Sequence, residues 1–279
     1  MTLAVREQGP PDAPTVLLVH GYPDTAAVWD EVVELLSERF HTVVYDVRGS
    51  GASSSPRGSR NYRLDRLLGD MERVIETTST NGRVHLVGHD WGSMQGWAAV
   101  TGGLAGRIAS FTSISGPCLE HVGAWVRYRL RHPSPRHLRQ LLGQLRRSWY
   151  MGAGLPPGVA PLAWRLGLAR AWPRVLARLD GISPRPGHPA PTLLADASRG
   201  VAIYRANILR RLRSPARTTD VPVQLIVPTR DAFVSPELHA DVERWVSRLR
   251  RREIDAGHWV IRSHPRQVAT WVAEHVEAT

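Results

Sequence analysis

Asp90 stands at the centre of the stretch Val84-His85-Leu86-Val87-Gly88-His89-Asp90-Trp91-Gly92-Ser93, where an apolar run of strand type meets a tight turn with glycine on both sides. A helix-like segment, Met94 to Val100, follows. A nucleophile held on a strained strand-to-helix turn needs small residues two before and two after it, because the strain brings neighbouring chain into close contact. Gly88 and Gly92 occupy those positions. With Asp in place of Ser the attacking group is a carboxylate, which adds to an electrophilic sp3 carbon and leaves an alkyl ester. The substrates in reach are then epoxides or alkyl halides, not esters and amides. The plain alternative is an Asp that caps the helix N-terminus, and the motif by itself leaves the two open.

Two further residues complete a chemistry. Asp231 follows the apolar run Val221 to Val227, and His258 sits in Asp255-Ala256-Gly257-His258-Trp259 after a short strand predicted near Arg252 to Ile254. Each of the three lies just past the carboxyl end of a predicted strand, where open parallel sheets place their sites. Singly, each has a bland explanation: Asp231 as a cap for a helix near Pro236, His258 as a satisfied loop histidine. Together, in the order Asp90, Asp231, His258, they follow the nucleophile, acid, base order of α/β hydrolases.

The elements that must position them alternate. Thr2 to Gln8 reads as a strand, Pro10 to Pro14 breaks it, and Thr15 to Val19 is a buried run ending in His20-Gly21-Tyr22-Pro23-Asp24. Val28, Val32, Leu35 and Leu36 recur at helical spacing, with Asp24 or Thr25 placed to cap that helix. Thr42 to Tyr45 is the next strand, and the Gly-rich loop Asp46 to Ser53 after it is too short, and lacks the Lys, for a phosphate loop. A helix over Leu64 to Thr78, a strand over Ile108 to Ile114, a helix near Pro236 to Leu249 and a final helix over Pro265 to Val276 complete the pattern. Between about Pro117 and Arg217 strand signals stop, and Arg- and Leu-rich helical segments broken by Pro and Gly take over. The expected architecture is an α/β-hydrolase fold, a mainly parallel sheet with helices on both faces. Its core domain would cover 1–117 and 218–279, with an inserted helical cap over 118–217.

At this point the sequence resembles the α/β-hydrolase-fold epoxide hydrolases along nearly its whole length. The carriers are His20-Gly21-Tyr22-Pro23, the loop Asp46 to Ser53, Gly88 to Ser93, Asp231, Gly257-His258-Trp259, and the cap segments Ser148-Trp149-Tyr150-Met151 and Ile203-Tyr204-Arg205-Ala206-Asn207. The last two look especially like the hydrolase half of actinobacterial proteins in which a short-chain dehydrogenase follows the hydrolase. The resemblance implies that Asp90 opens the epoxide from behind and that His258, oriented by Asp231, activates water to hydrolyse the ester. It also implies that Tyr204, joined by Tyr150, protonates the epoxide oxygen. Backbone N–H groups of Tyr22 and Trp91 would hold the oxyanion, and His suits the base because its ordinary pKa lies near neutrality. No cofactor or metal is implied.

The family's second cap tyrosine usually lies in an aromatic tract before a Pro; here the tract reads Met151-Gly152-Ala153-Gly154-Leu155-Pro156-Pro157. The family's first strand has no counterpart before Met1, which reads as a trimmed domain or a misassigned start. The rival reading is a haloalkane dehalogenase, which shares the Asp and the following Trp but usually carries Asn where this chain has Tyr22. A fluoroacetate-type dehalogenase would have Arg at position 91, and a serine esterase would have Ser at position 90. A non-catalytic binding protein on the same fold is the remaining alternative, and no triad member is missing to support it.

Composition bounds the setting. The 279 residues include one cysteine, Cys118, so no intrachain disulfide forms, and a buried apolar role suits that residue best. Neither a signal peptide nor a membrane span is legible, so a cytoplasmic protein in a reducing compartment is expected. All 36 basic residues are Arg. From 118 to 217 there are 18 Arg against three acids, an excess of +15, whereas the rest of the chain carries 18 Arg and 22 acids, or −4. No recognised nucleic-acid module accompanies this charge, so nucleic acid is not expected as a partner. The expected partners are a small-molecule or lipid epoxide and water, with a homodimer left open. A basic lid suits peripheral contact with an anionic membrane surface, a long-chain lipid substrate or a docking partner; the plainer reading is a solvated face. Arg127, Arg129, Arg131, Arg136, Arg139, Arg146 and Arg147 are the candidates for such contact.

Overall fold

The computed structural model of the chain describes residues 1–154, 156 and 158–279. Leu155 and Pro157 of the departing cap tract lie outside the described residues. The strands are β1 (Val5–Gln8), β2 (Thr15–Val19), β3 (His41–Tyr45), β4 (Val84–His89), β5 (Ile108–Ile114), β6 (Val223–Pro228) and β7 (Leu249–Ile254). They form one sheet in the order β1-β3-β2-β4-β5-β6-β7, parallel except for β1, which pairs antiparallel with β3.

Helices cover both faces because the central strands are apolar on both. In β2, Leu17 and Val19 face one core with Leu67 and Met71 of α2 (Leu64–Thr78) and Trp97 of α3 (Trp91–Val100). Val16 and Leu18 face the other, which holds Val32 and Leu36 of the helix α1 (Asp30–Leu36) and residues of the C-terminal helix. This period of two within a wholly buried run is the mark of a parallel strand covered on both sides.

From β5 to β6 the chain runs through α4 (Leu119–Arg131), α5 (Pro135–Arg147), α6 (Trp149–Gly154), α7 (Val159–Ala163), α8 (Ala169–Asp180), α9 (Leu193–Gly200) and α10 (Ala202–Arg213). After β7 come α11 (Val260–Ser263) and α12 (Pro265–Glu277). Among the described residues no helix is long and apolar enough to cross a membrane.

Two local expectations are corrected. The helix expected across Pro236 to Leu249 is two 3-10 turns, Pro236–His239 and Val242–Arg244. Thr219 N–H donates to the Trp245 carbonyl at 2.8 Å and Ser247 N–H to the Thr219 carbonyl at 3.3 Å, so the backbone there is drawn out beside the sheet before β7 begins. Thr25 does take the N-cap position of the 3-10 turn Ala26–Trp29 that carries Val28, but neither its side chain nor that of Asp24 makes a cap bond. The Ala26 N–H is instead taken by Asp46 Oδ1 at 2.9 Å, because the Asp24 carboxylate is committed to buried donors elsewhere.

Candidate active site

Asp90, between β4 and α3, has φ 51° and ψ −120°, a strained conformation for a residue with a Cβ, and its side chain makes no cap bond to α3. The glycines on either side permit the turn: a Cβ on Gly88 would lie 2.6 Å from the Gly92 carbonyl, and one on Gly92 would lie 2.0 Å from the Val19 oxygen. What fixes the carboxylate is the His20-Gly21-Tyr22 turn after β2. Tyr22 N–H donates to Asp90 Oδ1 at 2.8 Å, and Gly21 allows the approach, since a Cβ there would stand 2.3 Å from the same oxygen. Trp91 is the first residue of α3, so its N–H is among the helix's opening donors, which have no partner within the helix.

The loops after β6 and β7 bring the other two residues alongside. Asp231 Oδ1 accepts the N–H groups of Phe233 at 2.7 Å and Val234 at 2.9 Å, which orients the carboxylate and leaves Oδ2 to accept from His258 Nδ1 at 2.8 Å. His258 Nε2 then lies 3.6 Å from Asp90 Oδ2. Burial opposes charge on the imidazole, but Asp231 and then Asp90 outweigh it and hold the His258 pKa well above its ordinary value. Burial also works against the Asp231 charge, and the His258 partner together with the two backbone donors pulls its pKa below the usual range.

The sequence profile described as alpha/beta hydrolase fold matches residues 14–265, which hold all three of these residues. The chain belongs to the alpha/beta hydrolase fold family. It is 41% identical over 283 residues to the Mycobacterium tuberculosis and Mycobacterium bovis proteins named "Probable oxidoreductase EphD", a match covering 99% of this chain and 48% of theirs. The chain thus spans about half the length of those relatives. It is 36% identical over 118 residues to "Epoxide hydrolase A" of Mycobacterium tuberculosis, covering 42% of this chain and 36% of that one. A mutant epoxide hydrolase from Bacillus megaterium, solved with its diol product, superposes with a TM-score of 0.80 at 22% identity over 99% of this chain and 97% of its own. That likeness extends the shared fold to the helices between β5 and β6.

In this alpha/beta hydrolase α6 and α10, from the helices between β5 and β6, supply the opposite wall. The Tyr204 ring, in α10, meets Trp91 edge-on at 4.9 Å and Tyr22 at 5.4 Å, and Tyr150, in α6, meets Tyr204 at 6.2 Å and Phe233 at 5.2 Å. Burial first, then the neighbouring tyrosine and the Asp90 charge, keep the Tyr204 hydroxyl protonated far past neutrality. Burial and the charges of Asp90 and Asp231 do the same for Tyr150. The Tyr22 hydroxyl is turned away into the cap, donating to the Ala197 carbonyl at 2.9 Å and accepting from Trp164 Nε1 at 2.8 Å. Among the described residues no three His, Cys, Asp or Glu side chains gather as a metal site.

The sequence reading missed the residues that hold the His258 turn of this hydrolase. Asp180, the last residue of α8, accepts the N–H groups of His258, at 3.1 Å, and of Trp259. His89 Nε2 and Ser115 Oγ both donate to the His258 carbonyl, at 2.9 and 3.1 Å. Asp24 accepts from Trp259 Nε1 at 2.8 Å and from His188 Nε2 at 3.0 Å. Only His89, one residue before Asp90, and Asp24, inside the His20 motif, carried a sequence signal; Asp180 and Ser115 carried none. Burial, then the charge on His258, pushes the His89 pKa down to about 4, so at neutral pH its ring is an uncharged prop.

Proposed function

We propose that this chain is an epoxide hydrolase, joining an epoxide and water into a vicinal diol through an ester on Asp90. The observation that carries the reading is the division of labour between the two Asp90 oxygens. Oδ1 is held by the Tyr22 N–H, which leaves Oδ2 beside His258 to attack, with the tyrosine wall opposite. Oδ2 bonds to an epoxide carbon, the carbon–oxygen bond of the ring breaks, and Tyr204, aided by Tyr150, gives a proton to the oxygen that is released. Esterification removes the Asp90 charge. That loss makes the tyrosines better donors as the alkoxide forms, and it weakens the hold on the His258 proton, which passes to the tyrosinate left by ring opening, so that Tyr204 is restored and the neutral imidazole becomes a base for the second step. Water deprotonated at Nε2 then attacks Asp90 Cγ. The oxyanion forms on Oδ1, where Tyr22 N–H and Trp91 N–H are the donors; its collapse breaks the Cγ–Oδ2 bond, the departing alkoxide takes the proton from His258 Nε2 to leave as the diol, and the water oxygen remains on the regenerated Asp90 carboxyl, whose proton returns to His258.

The Tyr22 hydroxyl is spent on Ala197 and Trp164, so the side chain at that position has no free donor for a halide, which weighs against the dehalogenase alternative. The deciding experiment supplies epoxides and haloalkanes separately to the His258→Gln protein and weighs it after a single turnover. An adduct of epoxide mass on Asp90, absent in Asp90→Ala, is expected. Halide release with no epoxide adduct would transfer the assignment to the dehalogenase reading. The cap's charge adds a peripheral contact with an anionic surface to this reading.

A further inference from the structure

We propose that the outer face of α5, with the exposed apolar residues of the neighbouring α7, is a docking surface for an anionic lipid bilayer. Helix α5 is amphipathic and sits the wrong way round for a soluble protein. Its inward side is largely polar. Gln144 donates to the Phe233 carbonyl at 2.9 Å and accepts the Ser235 N–H at 3.0 Å, while Gln140 accepts from Arg129 at 2.9 Å. Leu141 is the one leucine of the helix that packs inward, against a small cluster with Trp125, Val234 and Leu238.

The remaining leucines point out. Leu138, Leu142, Leu145 and, just past the helix, Trp149 recur at i, i+4, i+7 and i+11, one helical stripe, and each is more than half exposed, Trp149 reaching 73%. Helix α6 packs between α5 and α7. Beyond it, Val159 and Leu162 of α7 and Leu166 of the π-helical turn Trp164–Leu168 that follows are also exposed, the last at 78%. Exposed apolar residues gathered in this number on neighbouring helices mark an interaction surface.

Charge selects the occupant. Arg136, Arg139, Arg146 and Arg165 are exposed around these leucines, and among the described residues none of the four is within ion-pair distance of a carboxylate. Arg127 and Arg129 are excluded from the face, since Arg127 bonds the Leu212 carbonyl at 2.6 Å and the buried Arg129 pairs with Asp241 at 2.9 Å. A second copy of the chain would bring the same positive rim against this one. A nucleic-acid duplex would meet the arginines and leave the leucines nothing apolar to enter. An anionic bilayer offers phosphates to the rim and acyl chains to the stripe, the arrangement by which interfacial helices bind. The docking stands apart from the catalytic reading, although Trp149 adjoins Tyr150 and so places the bilayer one residue from the site wall.

The test is sedimentation of the full chain with vesicles of phosphatidylcholine alone and of phosphatidylcholine mixed with phosphatidylglycerol. Binding to the mixed vesicles only is expected, fading as salt rises from about 0.1 M to about 0.5 M. Leu142→Gln/Leu145→Gln should weaken partitioning about tenfold or more. Arg139→Gln/Arg146→Gln should weaken it about 25-fold, at about fivefold for each arginine near the surface. Thermal melts would check that both variants remain folded. Absent or charge-independent vesicle binding, undiminished binding by the Leu variant, or capture by duplex DNA or self-association through this face would each overturn the proposal.

Discussion

Asp180 accepts the backbone N–H of His258 at 3.1 Å across 78 residues of sequence, so a helix of the cap holds the turn that carries the candidate base. A Cβ on Gly257 would stand 1.9 Å from the Asp180 carboxylate, which makes glycine the residue that admits this contact. The same carboxylate takes the Trp259 N–H, and the Trp172 ring of α8 lies 5.7 Å from that of Trp259. The seating of α8 and the aim of His258 are therefore tied through one carboxylate.

Asp180→Ala leaves two backbone N–H groups without an acceptor, at a cost of about 1–3 kcal/mol each if they stay dry. In rapid-quench experiments ester hydrolysis should slow about tenfold or more while formation of the Asp90 ester keeps its rate, because only the second step uses His258. Asp180→Asn retains one acceptor oxygen and should recover part of the loss. Equal slowing of both steps would reduce Asp180 to a stability role.

Tyr204→Phe removes a hydroxyl that lies within the field of the Asp90 charge while keeping the ring that packs on Trp91 and Tyr22. Alkylation should fall by about 10²–10³ with ester hydrolysis unchanged, the usual scale for one lost donor to a developing oxyanion. Tyr150→Phe should cost less, and the double variant should form no detectable ester. Stopped-flow measurement of the ester-forming phase separates these cases. A larger loss in Tyr150→Phe would exchange the two roles.

Acid should destabilise the fold before its carboxylates protonate. Burial holds the pKa values of His85, His89 and His239 at about 4 and lowers those of His121 and His275, against an ordinary value of about 6.5. Between those limits the unfolded chain binds more protons than the folded one, so stability declines as pH falls from about 6.5 toward 4. His258, with a raised pKa, is protonated in both states there and does not contribute. Asp180 and Asp196, raised by burial, run the other way but are outnumbered. Thermal melts should show Tm dropping across this window, and His85→Gln should flatten the slope. A Tm that is level down to pH about 4 would contradict the titration of these histidines.

The fold was legible because its signals are local. Buried runs such as Thr15–Val19 and Ile108–Ile114, and the helical spacing over Leu64–Thr78, encode their own burial, and the observed elements have those same limits. The stretch Pro236 to Leu249 misled because its apolar spacing suits a helix, whereas pairing of Thr219 with Val246 draws the backbone into an extended path. The orientation of α5 was not legible, since it depends on what Gln140 and Gln144 meet across the fold.

By itself the sequence determined the alternation of strands and helices, the glycine pair that lets Asp90 take its strained turn, and the chain order of Asp90, Asp231 and His258 at strand ends. These follow from short-range sterics and periodicity, which neighbouring residues carry in full. Only the tertiary structure decided that Tyr22 N–H grips one oxygen of Asp90, that the Tyr22 hydroxyl belongs to the cap, and that Asp180, His89, Ser115 and Asp24 hold the His258–Trp259 turn. Those contacts join residues far apart in the chain, and a hydrogen bond is set by atoms meeting at about 3 Å in space, which no spacing along a sequence specifies.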